Sequence, residues 1–262
     1  MPTDLTPALE GLAPVALAEL DQRAALQTRV DRKYVVPEAD VPLLLADLTG
    51  RVLEIEGRRS FGYASTYVDT PDLASYRGAA HRRRRRFKVR TRRYVDTGGA
   101  WVEVKTRGAR GSTVKQRLAL ADDGLGPDRL GAVELAFVGA ALREGGVTDV
   151  DPTTLTPVLH TAFERSTLLL PAGATGGPTR ATLDTGLRWA RPGGGHAEAG
   201  PVLVVETKAA PGIAGELDRR LWALGHRPAR VSKCCVGLAL LTPGLPANRW
   251  HRAVPRLATT PA

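Results

Sequence analysis

Residues 82–94, RRRRRFKVRTRRY, decide how the rest of the chain is read. A block of like charges is ordinarily solvated and mobile. Here the run continues in period-two order. Arg84, Arg86, Lys88, Arg90, Arg92 and Tyr94 fall on one face of an extended chain, with Phe87, Val89 and Thr91 on the other. The pattern predicts a strand, not a tail. Same-face neighbours roughly 7 Å apart repel by about 0.6 kcal/mol in water and about 2 kcal/mol at an effective dielectric near 20. Such a row is tolerated on an open surface and needs counter-anions if it lines a cavity.

The following segments repeat the arrangement. In WVEVKTR (101–107), Trp101, Glu103 and Lys105 oppose Val102 and Val104; in STVKQRLAL (112–120), Thr113, Lys115 and Arg117 oppose Val114, Gln116, Leu118 and Leu120. RATLDTGL (180–187) sets Arg180, Thr182 and Asp184 against Ala181 and Leu183, and PVLVVETKAA (201–210) places Glu206 and Lys208 on one face. The apolar faces of such strands must be buried. An antiparallel barrel with a wet, charged lumen and helices packed on its outside meets both demands, giving an α+β fold. A flat sheet with a salt-bridged solvent face is the alternative that pattern alone leaves open.

At 262 residues and 43% hydrophobic, the chain can bury one ample core. Its formal net charge of +10 implies an anionic partner: nucleic acid, a membrane surface or a phosphorylated small molecule. Only six of its 37 basic residues are lysines, and all six (Lys33, Lys88, Lys105, Lys115, Lys208, Lys233) lie in strand-like segments or in VSKCC near the C-terminus. A compact ammonium is the kind of charge that grips phosphate oxygens. The adjacent Cys234 and Cys235 have no other thiol in the chain to pair with. They suit a reducing compartment as small buried residues, and with no apolar stretch near 18 residues and no leader pattern the expectation is a cytoplasmic protein without a transmembrane segment. The five histidines lack ligand spacing, and no phosphate-binding glycine loop or G-x-S-x-G elbow occurs. Aromatic residues make up 5%, too few for a stacking surface, so nucleic acid is not the expected partner.

Periodicity and turn chemistry predict helices over about 12–27, after Pro37, and over 129–143, 213–224 and 231–241. They predict strands over 29–36, 61–68, 155–170, 178–190 and 201–208. DTPDLASYRGA reads as a short helix capped by Asp69 or Thr70 with Pro71 at its first position. Residues 121–128 read as a turn-rich loop, Gly and Pro at 171–178 and 192–201 mark turns, and PGLPANRW (243–250) reads as loop.

In order and spacing, DRKYVV, STYVDTPDLASY, FKVRTRRY, WVEVKTR, TVKQR, FERSTL, RATLDTGLRW, VVETK and VSKCCVG resemble the catalytic domain of the VTC (vacuolar transporter chaperone) family. That family is the polyphosphate-polymerase branch of the triphosphate tunnel metalloenzymes, relatives of the CYTH proteins. The implied organisation is a helical segment over 1–27, the tunnel domain over 28–242 and a tail over 243–262. The resemblance implies a nucleoside triphosphate and a divalent metal, Mn²⁺ or Mg²⁺, in a basic tunnel, with the γ-phosphate moved onto polyphosphate. By motif, Lys33, Arg90 and Arg92 hold the triphosphate. Lys105, Lys115 and, more weakly, Arg117 line the tunnel; Arg165 and Arg180 grip terminal phosphates; Glu206 holds the metal. Arg230, Ser232 and Lys233 close one end, and Lys33, Arg165, Arg180 and Lys233 form the catalytic set. Glu103 is either a salt-bridge partner of a lumen Arg or a second metal ligand. Phe163 stands where the family commonly has Tyr, and Arg230 where yeast-type members have Lys. A triphosphatase of the same fold, or a polyanion-binding module without turnover, would use the same cations.

Overall fold

In the computed structural model, which describes residues 4–23, 30–108, 112–120, 129–171 and 177–258, the alternating segments form a single sheet of eleven strands. In chain order they are β1 (Ala13–Val15), β2 (Val30–Pro37), β3 (Arg51–Leu53), β4 (Phe61–Asp69), β5 (Phe87–Tyr94), β6 (Ala100–Arg107), β7 (Thr113–Ala119), β8 (Thr156–Leu170), β9 (Thr179–Ala190), β10 (His196–Glu198) and β11 (Val202–Ala209). The main path runs β2-β11-β9-β8-β4-β5-β6-β7, antiparallel at every step. Register shifts at Tyr67/Val68 in β4 and Ala162/Glu164 in β8 bend it. The two ends of the path come round to one cavity of about 370 Å³, to which β2 gives Lys33, β6 gives Lys105 and β7 gives Thr113. The expected α+β organisation on a large antiparallel sheet forms. Closure of the ladder into a barrel does not: among the described residues, β2 and β7 share no pairing.

Eight helices accompany the described sheet: α1 (Thr6–Leu9), α2 (Leu17–Arg23), α3 (Val41–Leu45), α4 (Ala74–Ala80), α5 (Ala132–Glu144), α6 (Glu216–Ala223), α7 (Lys233–Leu241) and α8 (Val254–Leu257). Tyr34, Val36, Leu183, Leu203 and Val205 project from the convex face into a core with α3 and α6, while Val68, Val89, Val102 and Val104 meet α5. Helix α7 departs from the expected outer layer. Its Cys234, Cys235, Val236 and Leu238 pack with Val35, Tyr67, Leu159, Phe163 and Val204, residues of the concave face, so it plugs one end of that face. The fit is close enough that Gly237 lies flat on the Trp189 ring and a β-carbon there would collide with it. Both cysteines are buried free thiols.

Local corrections have local causes. The helix expected over 12–27 is interrupted: Pro14 sits in β1, which pairs in parallel with β3, and α2 follows; 24–27 lie outside the described residues. Arg84 and Arg86 precede β5 in turns, so the strand face begins at Lys88. Asp69 and Thr70 do cap α4, accepting from the backbone N–H of Ser75 and Tyr76 and of Ala74, but Leu73 takes the left-handed N-cap position and Pro71 stays in the preceding turn. The loop expected at 121–128 and most of the turn at 171–178 fall outside the described residues. Within 192–201 the short strand β10 forms, and the segment after 243 is not simply loop: Trp250, Ala253 and Leu257 are buried beside Tyr76 and Trp189.

Candidate functional site

Ladder register assembles the site. Residues directly opposed across antiparallel strands share a face, and the pairs Lys33–Glu206, Arg165–Asp184, Arg90–Glu103, Lys88–Lys105 and Lys105–Lys115 are all of this kind. Seven strands thereby deliver their charges to the concave side.

Three carboxylates each hold two cations. Glu206 pairs with Lys33 through Oε2 and with Lys208 through Oε1. Asp184 takes the Arg165 fork at 2.6 and 2.8 Å and also pairs with Lys233. Glu103 accepts from Arg90 Nε at 2.7 Å and pairs with Lys115. Burial works against ionisation at each, yet the neighbouring cations prevail: Asp184 is held at about 2 by Arg165 and Lys233, and Glu206 and Glu103 lie well below the carboxylate range.

Among the described residues, the remaining inner cations have no carboxylate partner. Arg92 is 8% exposed, donates to Ser65 Oγ at 3.4 Å, has no carboxylate partner among the described residues and lies over the Tyr63 ring; burial, with Arg90 and Arg165 adding repulsion, lowers it to about 10. Lys105 has no ion-pair partner among the described residues, and burial together with Arg90 and Lys33 takes it well below its ordinary value. Lys88 donates to Ser232 Oγ at 2.6 Å, and the same hydroxyl caps α7 by accepting from Cys235 N–H. Among the described residues, nine cations (Lys33, Lys88, Arg90, Arg92, Lys105, Lys115, Arg165, Lys208, Lys233) face Glu103, Asp184, Glu206 and, at the mouth, Asp31. The excess positive charge is of the size of one triphosphate, which carries about four negative charges.

Most residues nominated from sequence meet here: Lys33, Arg90, Arg92, Lys105, Lys115, Arg165, Glu206, Ser232 and Lys233. Three stand apart. Arg117 is exposed on edge strand β7 with its guanidinium 4.7 Å from the Trp101 ring centroid. Arg180 shares a rung with Lys208 and reaches Asp21 of α2 at 3.4 Å. Arg230 is exposed at the cavity mouth with Arg86, Arg107 and Arg249. Burial, then Arg86 and Arg230, lower the basicity of Arg249. Of Glu103's two readings, the salt-bridge partner is the one the geometry carries. Phe163 stacks on Tyr63 with centroids 5.4 Å apart, and Lys233 sits 4.6 Å over its ring. Sequence reasoning gave Asp184 no role, although its parity with Arg180 and Thr182 placed it on the charged face. It also gave no role to Arg107, the last residue of WVEVKTR, or to Arg249, which lies in the segment read as loop.

Among the described residues no three His, Cys, Asp or Glu side chains cluster as a metal site. Each inner carboxylate stands alone between two cations, so a divalent cation fits only as part of a metal–phosphate complex, with one protein carboxylate and the substrate's own oxygens around it, the usual manner for Mg²⁺.

Residues 28–242 match the profile of the VTC domain. The chain belongs to the VTC domain family. No curated protein matches it. Among solved structures it is similar to a protein of Bacillus halodurans described as a candidate adenylate cyclase (14% identity, TM-score 0.47, covering 78% of this chain and 94% of that one). It is also similar to a Hippeastrum protein described as a candidate adenylyl cyclase with a dominant triphosphatase activity (11%, TM-score 0.43, 80% and 94%) and to the PH1012 protein of Pyrococcus horikoshii (10%, TM-score 0.39, 76% and 88%). No helix of the described VTC chain is long and apolar enough to cross a membrane.

Proposed function

We propose that this VTC domain binds a nucleoside triphosphate in its concave cavity and transfers the γ-phosphate to a polyphosphate chain. The observation that carries the reading is the surplus of inner cations, above all Arg92, which is buried, and Lys105, which is half-buried in the cavity, neither with a carboxylate partner among the described residues. Desolvated, unpaired cations cost free energy, and a polyanion that repays it must reach them. In this reading Arg90, Arg92, Lys105 and Lys115 hold the triphosphate. Arg165 and Lys233, fixed by Asp184, present their donors to equatorial oxygens of the transferring group, with Lys33 beside them, so catalysis rests on positioning and charge stabilisation. Arg180 and Arg117 are assigned lesser contacts on the two flanks. Glu206 would hold the divalent cation, which when bound adds charge neutralisation on the phosphate oxygens. The arginines at the mouth, with Arg230 among them, suit a chain longer than a triphosphate, and water-filled closure around the ligand would make the cavity a tunnel.

Incubating the protein with ATP and Mn²⁺, then separating ADP, free phosphate and polyphosphate, tests the reading. Polyphosphate is the expected product; free phosphate alone makes the protein a triphosphatase, and no turnover leaves a binding module.

A further inference from the structure

The strands that present cations inward carry a second concavity on their convex side. It has a volume of about 400 Å³ and is built from two adjacent rungs across β5, β4, β8 and β9. In one rung the opposed residues are Arg93, Ala64, Ala162 and Arg188; in the next they are Thr91, Thr66, His160 and Ala190. Helix α5 covers Val89 and Val104 of the neighbouring rung and Val102 at the β6 end of the Thr91 rung, whereas the β5–β9 stretch of the two rungs lines the hollow, with Thr66 and Thr91 buried at its base and Ala64, His160, Ala162 and Ala190 half-buried around them. The hollow has a sequence cause: alanine and threonine stand on β4 and β5 here, where the next rung carries Val68 and Val89 under α5, and no described helix lines the space.

We propose that this hollow binds a small aromatic monoanion. Its floor is flat and apolar because Ala64, Ala162 and Ala190 expose little beyond methyl groups and backbone, which suits the face of a fused ring. Four strands at roughly 4.8 Å spacing put about 14 Å between the two terminal arginines, the length of a two-ring ligand. The volume lies in the ordinary range of small-molecule sites, which pair an apolar lining with few polar groups. The ends differ in charge. Arg188 is opposed in the ladder by Glu198 and lies near Glu164, whereas Arg93 has no carboxylate within ion-pair distance among the described residues. The anionic group of the ligand therefore belongs at Arg93, and an uncharged polar edge can face His160, whose Nδ1 lies 3.0 Å from Thr66 Oγ1. Side-chain alternation keeps this site separate from the phosphate cavity: Thr66 and Thr91 look outward while Tyr67, Arg90 and Arg92 look inward.

The test uses 8-anilino-1-naphthalenesulfonate, a fused-ring dye with one sulfonate, titrated by fluorescence and calorimetry onto the full chain with the cationic cavity saturated by tripolyphosphate. One saturable site per chain is expected. Ala162→Phe, which fills the floor from an accessible position, and Arg93→Ser should each weaken it by at least about tenfold, the loss of one charge-assisted contact or of the ring's seat. Tripolyphosphate affinity in both variants should stay as in the wild type. Absence of a saturable site, binding that tripolyphosphate displaces, or affinity unchanged in Arg93→Ser would each overturn the proposal. Arg93 is exposed, so this variant is expected to fold even if Ala162→Phe does not.

Discussion

The two halves of the concave face treat charge differently. On β2, β11, β9 and β8, with α7, four cations share Glu206 and Asp184, and every cation has a carboxylate within reach. On β5, β6 and β7, Glu103 serves Arg90 and Lys115 and, among the described residues, leaves Lys88, Arg92 and Lys105 without one. The first half ties each of its cations to a carboxylate, although four cations on two carboxylates still leave it positive. The second stores repulsion that only an anion relieves. Removing charge should therefore have opposite effects on stability in the two halves.

Asp184→Asn is the strongest way to break this contrast. It leaves Arg165 and Lys233 buried against a neutral amide, and breaking a buried pair by removing one partner costs about 3–5 kcal/mol. Denaturant melts should show that loss; a change below about 1 kcal/mol would remove the distinction between the halves. Next in size, Lys105→Met or Arg92→Gln should lower tripolyphosphate affinity by about 1.5–3 kcal/mol, the worth of a charge-assisted contact. Both should leave the melting temperature unchanged or higher, because each removes a cation that its neighbours repel. Calorimetry and thermal melts on one preparation decide the sign.

Glu206→Gln sharpens the compensated half. If this carboxylate holds the metal, turnover should collapse while metal-free tripolyphosphate binding persists or tightens, since Lys33 and Lys208 are released to the ligand. Undiminished turnover would contradict the assignment. The pH dependence is smaller and has a definite direction. Burial, with Arg165 and Lys33 adding to it against the pull of Asp184, lowers Lys233 to about 8 from its ordinary 10.5. Between those values the unfolded chain binds more protons, so this group makes stability rise from pH 8 towards 10.5, whereas affinity for an anion falls as the ammonium is lost. Binding at pH 9 should accordingly take up protons, visible as a buffer-dependent heat. Arg83→Ser with Arg85→Ser should do least. Both are exposed in the turn before β5, and tripolyphosphate affinity should stay nearly constant; losses equal to that of Arg92→Gln would mean diffuse attraction to basic surface.

What the sequence disclosed follows from the range of the signals. Side-chain parity is local, so FKVRTRRY, WVEVKTR and TVKQR announced their charged faces, and ladder register then had to bring those faces together. The carboxylate partnerships are not local: Lys33 and Glu206 are 173 residues apart, and no period links them. The place of α7 was equally hidden, because apolar residues run around most of the helix and do not say which side of the sheet receives it. Three-residue strands such as β1, β3 and β10 are too short to show a period. Arg84 and Arg86 keep the parity of β5 for two further steps without extending it, since a charge pattern continues freely where a backbone ladder has ended.

Strand β7 pairs with β6 and, among the described strands, with nothing on its other side. A bare strand edge invites another copy of the chain to add on, and charge along it is a common deterrent. Thr113, Lys115 and Arg117 alternate there with Val114 and Leu118, and much of the strand is exposed. The same cations that draw in a polyanion thus keep the edges of two molecules apart. A saturating polyphosphate would cancel that repulsion, so the loaded domain should be less soluble and more prone to strand-to-strand association than the empty one. Light scattering across a polyphosphate titration would reveal the effect, and Lys115→Gln should bring it on without ligand.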